Sequence, residues 1–254
     1  MINKFLCIDI GNSRLSVGLF HEHKLIERND FRIQQLELAI VFLVNKIKLI
    51  KQVRVIVSSV IPDLAKKLID ALSNLNVKII ELKSNEQNII TNIYDGIGID
   101  RIANATAAIK LYSDKEVIGI IDFGSATTLT VVENSGKFLG GLITLGISKT
   151  FKAISNYLDQ LPEVDLDGLK IASPLAFDTD KAIANGCFLS HIGTVDCWIN
   201  TVKTHVNKDV YIIGTGGFIQ VLAGFCSGIN LAVTDLTLTG VNYLGQAQSP
   251  IVKF

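Results

Sequence analysis

No charge of either sign dominates this chain: 24 lysines and arginines stand against 24 aspartates and glutamates in 254 residues, and the net charge is zero. With no basic run for a phosphate backbone to condense on, nucleic acid is excluded as a main partner. There are only four cysteines, Cys7, Cys187, Cys197 and Cys226, and none stands in a C-x-x-C pair. Each lies in an otherwise apolar segment, the pattern of a reduced core thiol, which points to the cytoplasm. No window approaches the about 18 uncharged apolar residues of a membrane span, and Asp9 and Arg14 interrupt the N-terminal apolar stretch, so neither export nor insertion is expected. Also missing are G-x-x-x-x-G-K-[ST], a protein-kinase glycine loop, H-E-x-x-H and G-x-S-x-G. Their absence removes the commonest nucleotide-binding and hydrolase signatures.

What is present centres on Val117 to Gly146, VIGIIDFGSATTLTVVENSGKFLGGLITLG. An apolar run stops at one carboxylate, Asp122, followed by Gly124 and the hydroxyls of Ser125, Thr127 and Thr128. A buried strand ending this way carries a charge to the edge of the core, where a phosphate or metal ion could meet it. Leu129 to Glu133 reads as a second strand, Asn134-Ser135-Gly136 as a turn and Phe138 to Ile143 as the returning strand. The N-terminal FLCIDIGNSRLSVGLF repeats the pattern with Asp9, Gly11, Asn12 and Ser13. Two such hairpins predict a duplicated unit. Length allows one or two domains at roughly 100–200 residues each, and the expected boundary near Ser113 to Lys115 gives domains at 1–114 and 115–254.

The first hairpin is expected to end near Leu25, with a polar turn from Glu27 to Asp30. Apolar residues at three- and four-residue steps predict a helix over Ile33 to Leu49. Val53 to Val60 and Val77 to Leu82 read as buried strands around a helix opened by Pro62, so the first half is β-β-α-β-α-β. Asp100, at the end of the loop TNIYDGIGIDR and the start of an alanine-rich helix, can be a ligand group or simply that helix's cap. In the second half, Asp178 or Thr179 can cap a long helix carrying His191 and His205, which read as ordinary helix residues. Val210 to Ile213 runs into GTGGF, which is either a close backbone approach to a ligand or a plain tight turn. TDLTLTGVNYLG closes the chain as a helix.

Facing Asp-Gly-hydroxyl hairpins could hold a phosphate chain between amides and hydroxyls, with a cation bridging carboxylate and phosphate. Beyond such a clamp, phosphoryl transfer needs only a group that orients the nucleophile.

Six motifs in order, DIGNS (Asp9 to Ser13), SSVIP (Ser58 to Pro62), GIDR (Gly98 to Arg101), DFGSATT (Asp122 to Thr128), GGLITLG (Gly140 to Gly146) and LPEV (Leu161 to Val164), resemble type III pantothenate kinase. The resemblance implies an α/β fold of the actin-like kinase superfamily. It would have two ribonuclease-H-like domains, mixed sheets flanked by helices and a ligand cleft between them. It implies transfer of the ATP γ-phosphate to pantothenate, giving 4'-phosphopantothenate in the first step of coenzyme A synthesis. Asp9, Ile10, Gly11, Asn12, Ser13, Arg14, Leu15, Ser16 and Ser125 would contact ATP. Gly98, Ile99, Asp100, Arg101 and Thr179 would hold pantothenate, with Asp100 as proton acceptor. Asp122 would bind a monovalent cation, K+ or NH4+, and Asp9 would serve Mg2+ with ATP. A homodimer is implied too, and a mean hydropathy of +0.40 agrees with apolar surface buried against a second subunit.

Ser13 and Ser125 stand where the family has threonine, and Leu145 where it has proline. Another small-molecule kinase would share the fold, since fold does not fix substrate; the GIDR loop and Thr179 favour pantothenate. A non-catalytic regulator would be marked by loss of Asp9, Asp100 or Asp122, and all three are present.

Overall fold

The computed structural model describes residues 4–50, 52–164 and 173–248. The sequence predicts a helix from Ser148 to Leu158 ending in DQLPEVDL, and the last two residues of that stretch, Asp165 and Leu166, lie outside the described residues. In chain order the first elements are β1 (Lys4–Ile10), β2 (Arg14–His21), β3 (Lys24–Arg32), α1 (Leu36–Leu49), β4 (Arg54–Ser59), α2 (Pro62–Leu72), β5 (Lys78–Glu81) and α3 (Ile99–Leu111). Then come β6 (Val117–Phe123), β7 (Ala126–Glu133), β8 (Phe138–Leu145), α4 (Ile147–Tyr157), α5 (Thr179–His205), β9 (Val210–Thr215), α6 (Ile219–Leu222), β10 (Leu231–Ala232) and α7 (Leu236–Ala247).

The chain divides into two compact units. One runs to Asp114 and takes in Val132–Phe138 and the chain from Asp235 on; the other is Lys115–Val131 with Leu139–Thr234. The first sheet has the order β3-β2-β1-β4-β5. β1, β2 and β3 are antiparallel neighbours, and β4 and β5 run parallel to β1. Alternation sorts β1 between two faces. Leu6, Ile8 and Ile10 join Leu43 of α1 and Leu68 of α2 in one core. Asp9 lies on the opposite face with Cys7, whose sulfur sits 3.8 Å from Asn242 of α7. On that side α7 packs against α3 and β1, and Thr237 Oγ1 donates to Asn104 Oδ1 at 2.8 Å.

The second sheet has the order β10-β9-β6-β7-β8. Read from its other edge it repeats the first: two hairpin neighbours on one side of the aspartate-bearing strand, two crossover strands on the other. The duplicated pattern in the sequence is thus a duplicated topology. Val117, Ile121 and Phe123 of β6 pack with Val195 and Ile199 of α5 and with Phe151 of α4 in the second core.

Two elements differ from the sequence reading. Glu27 to Asp30 is the interior of β3, giving the first half an additional strand. Its polar side chains are satisfied along the strand and from α1: Arg28 Nε donates to Asp30 Oδ2 at 3.1 Å and Lys46 Nζ to Glu27 Oε2 at 2.5 Å. α3 begins at Ile99, so Asp100 lies inside its first turn and Gly98 holds the cap position.

Candidate active site

In the first unit, β1 ends with its carboxylate beside the parallel strand β4. Asp9 and Ser58 are register partners, and Ser58 Oγ donates to Asp9 Oδ1 at 3.0 Å. The turn after Ile10 is closed by Gly11 N–H donating to the Arg14 carbonyl at 2.9 Å. It leaves Asn12, Ser13 and Arg14 exposed. Ile10 and Leu15 are buried in the core, so only their backbone could face a nucleotide. Ser16 is also buried, and its hydroxyl donates to Asp30 at 2.6 Å.

Asp100 and Arg101 lie in the first turn of α3. Asp100 Oδ1 accepts the Arg101 backbone N–H at 2.8 Å. Burial raises the Asp100 carboxyl above the ordinary carboxylate range, opposed by that hydrogen bond and by the Arg101 charge. Arg101 is buried; its Nη1 donates to Tyr94 Oη at 2.5 Å and its guanidinium lies 5.8 Å from the Phe138 ring centroid. The planar cation is thereby fixed against two aromatic faces. Phe138 is held in turn, since its N–H donates to the Thr91 carbonyl at 2.9 Å and its carbonyl accepts Asn92 Nδ2 at 2.9 Å.

In the second unit, β6 brings Asp122 to the corresponding strand end, and the parallel strand β9 sets Thr215 opposite it. The turn from Gly124 to Ala126 is closed by Gly124 N–H donating to the Ala126 carbonyl at 3.1 Å. Gly146, cap residue of α4, donates its N–H to the Ser125 carbonyl at 3.0 Å, and a Cβ there would collide with the Gly124 carbonyl. Gly216, at φ +95°, brings the turn after β9 onto Asp122 and Phe123. GTGGF is therefore a close backbone approach within the protein as well as a turn. Thr179 is exposed at the start of α5, where Asp178 Oδ1 caps the helix by accepting the Lys181 N–H at 2.8 Å.

The site residues read from sequence thus fall into two groups, the Asp9 to Ser16 turn and Gly98 to Arg101 in one unit, Asp122, Ser125 and Thr179 in the other. Sequence reasoning did not pair Ser58 with Asp9, Asp30 with Ser16 or His191 with Thr127, the side chains that hold residues of these motifs. For Ser58 the signal lay in the motif SSVIP itself, a hydroxyl pair ending an apolar strand.

Among the described residues no three histidines, cysteines, aspartates or glutamates gather to hold a metal ion. Thr215 Oγ1 is buried without a hydrogen-bond partner, on the sheet face that carries Asp122. Hard oxygens are what this spot offers, one carboxylate with hydroxyl and carbonyl neighbours. That donor set fits a weakly held monovalent cation, or a magnesium ion that keeps its water and the phosphates of ATP as ligands, better than a divalent ion caged by protein alone.

The class follows from this geometry together with known structures. The chain superposes on the ROK hexokinase of Thermus thermophilus with a TM-score of 0.54 at 12% identity, covering 96% of this chain and 100% of that one. On a conserved Baf family protein from Campylobacter jejuni it reaches 0.59 at 24% identity, covering 95% and 98%. The fold is that of the sugar kinases and actin-like ATPases, with two mixed sheets in ribonuclease-H-like halves. Within that class, the model of the type III pantothenate kinase family matches residues 5–201, and the chain belongs to that family. It is also 26% identical to a type III pantothenate kinase from Dehalococcoides mccartyi over 97% of this chain and 98% of that protein. The protein is accordingly an ATP-dependent kinase, and pantothenate phosphorylation in coenzyme A biosynthesis is its reaction.

Proposed function

We propose that Asp100 accepts the proton of the pantothenate hydroxyl while the turns at Asp9 to Ser16 and at Asp122 to Thr128 hold ATP. The carrying observation is the repeat itself: each unit ends its central strand in a carboxylate followed by a glycine and hydroxyl turn. Ser58 fixes the rotamer of Asp9, and Gly146 holds the Ser125 turn. Such preset groups serve a loose phosphoryl-transfer transition state, in which position and charge matter more than covalent participation.

Gly98 to Arg101 and Thr179 bind pantothenate in this reading. The hydroxyl oxygen attacks the γ-phosphorus, its proton passes to an Asp100 carboxylate oxygen, and the bond from phosphorus to the ADP oxygen breaks. Burial makes Asp100 a somewhat stronger base than a solvated aspartate, which suits the role. Magnesium with ATP, and a potassium or ammonium ion at Asp122, supply positive charge against the phosphates when bound. Asp9 is the residue nearest in kind to a magnesium partner in the first unit, and Asp122 with Thr215 offers the monovalent site.

The protein acts in the cytoplasm as a homodimer. No described helix is long and apolar enough to cross a membrane. β8, last in the order of its sheet, exposes Leu142, Ile143 and Leu145, which a second copy would cover. Sedimentation at micromolar concentration should give the dimer mass; a fully active monomer would contradict it. The catalytic reading is tested by ATP consumption with pantothenate, glycerol, acetate or no acceptor, with and without potassium. Turnover is expected with pantothenate alone, and equal turnover with another acceptor would refute the substrate assignment.

A further inference from the structure

His191 is a buried polar residue that the reaction leaves unused. It sits on the inner face of α5, and its Nε2 shares a 3.0 Å hydrogen bond with Thr127 Oγ1, also fully buried. Its ring also lies against Phe123, with centroids 6.1 Å apart and planes tilted by 52°. Phe123 is the last residue of β6 and Thr127 the second of β7, so one imidazole touches both feet of the Gly124 to Ala126 turn. Burial lowers the affinity of the ring for a proton, which keeps it neutral and suited to a single hydrogen bond.

The rest of the turn is fixed from other directions. Gly146 N–H holds the Ser125 carbonyl at 3.0 Å, and Phe218 N–H donates to the Phe123 carbonyl at 3.2 Å. Those are backbone bonds, the first of them dependent on glycine at position 146. The bond from His191 is the side-chain support that reaches Thr127 from the helix behind the sheet.

We propose that His191 is a positioning residue for the nucleotide: through Thr127 it sets the conformation of the Gly124 to Ala126 turn, and so the direction of the Ser125 hydroxyl and the Asp122 carboxylate. The inference rests on the reading of that turn as an ATP site. A misplacement of about 1 Å at such a turn costs up to about a hundredfold in rate. A role in packing alone would instead show in stability and leave nucleotide binding untouched.

Four variants separate the two. Thr127→Val keeps the shape and suits a strand, His191→Phe keeps a ring beside Phe123, His191→Gln places an amide near the position of Nε2, and Ser125→Ala tests the turn itself. Steady-state kinetics, calorimetric titration with ADP and thermal melting are measured on each. Thr127→Val and His191→Phe are expected to raise the KM for ATP and the Kd for ADP at least about tenfold with the KM for pantothenate unmoved. His191→Gln should return most of the loss, and the Thr127→Val/His191→Phe double variant should bind no worse than either single one. If the first two keep ATP and ADP binding within about twofold while Ser125→Ala weakens it, the turn is the nucleotide site and His191 does not position it. If Ser125→Ala also binds normally, the turn reading fails and the proposal with it. Failure of both Thr127→Val and His191→Phe to fold would make the bond structural, which also overturns it.

Discussion

The carboxylate of Asp100 accepts the backbone N–H of Arg101 at 2.8 Å inside the first turn of α3, while Gly98 occupies the cap position. Asp100 therefore does part of a cap's work from within the helix. Asp100→Asn preserves the hydrogen bond and removes the base. Loss of a general base costs about 10² to 10⁴ in rate, so kcat should fall at least about a hundredfold with ATP affinity unchanged. Burial raises the folded-state pKa, so folding favours the protonated form and the ionised carboxylate costs stability. That cost is complete above the folded pKa and vanishes below the unfolded value near 3.8. The Asn variant should melt at or above the wild-type temperature at pH 7, and the gap should close as the pH falls toward 4. Retained kcat, or a variant that melts well below wild type at pH 7, would make Asp100 structural.

Gly146 offers a test of the second turn that leaves all hydroxyls and charges in place. A methyl at this position would press on the carbonyls of Gly124 and Ser125, which are backbone and cannot swing aside. Gly146→Ala should destabilise the protein by about 1–3 kcal/mol and raise the KM for ATP more than that for pantothenate. Equal effects on the two substrates in titrations of the purified variant would detach this turn from the nucleotide.

Strand ends carrying Asp9 and Asp122 were legible because an apolar run that stops at a carboxylate has few other uses, and the repeated strand order follows from the repeated motif. The polar stretch Glu27 to Asp30 was not legible as strand, since local composition argues for a turn. Its pairing with β2 and its ion pairs to Lys46 and Asp235 override that preference. Ser58 and Asp9 are 49 positions apart, Thr127 and His191 64 apart. No local pattern reveals such bonds; they exist only once β4 lies beside β1 and α5 lies behind β7. His191 reads from the chain as an ordinary helix residue, and its partner Thr127 is visible only in the fold.

The proposed potassium or ammonium ion at Asp122 has a direct consequence. Replacing potassium with tetramethylammonium, too large for an oxygen-lined site, should remove most turnover, by about tenfold or more if the ion offsets one charge near the phosphates. Potassium is expected to raise the melting temperature with ADP present, and Asp122→Asn should reduce that rise. Rates that ignore the cation would contradict the assignment.

Arg101 is the strongest test of the pantothenate side because its geometry is specific to a guanidinium. It is 5% exposed, bonded to Tyr94 Oη at 2.5 Å, and packed 6.0 Å from the Tyr94 ring centroid and 5.8 Å from that of Phe138. A planar fork presents donors in fixed directions and is weakly hydrated, whereas an ammonium is a hydrated point charge on a flexible stem. Arg101→Lys keeps the charge and loses the fork. The KM for pantothenate, a carboxylate substrate, should rise about ten- to a hundredfold, equivalent to roughly 1.4–2.7 kcal/mol, with the KM for ATP unchanged. Tyr94→Phe retains the ring and deletes only the hydroxyl acceptor, so its effect should be smaller and in the same direction, because the guanidinium loses one of its anchors and keeps the aromatic face. Should Arg101→Lys instead lower the melting temperature by several degrees while the KM for pantothenate stays within about twofold, the guanidinium serves to pack α3 against Tyr94 and Phe138, and the acceptor must be held by other residues.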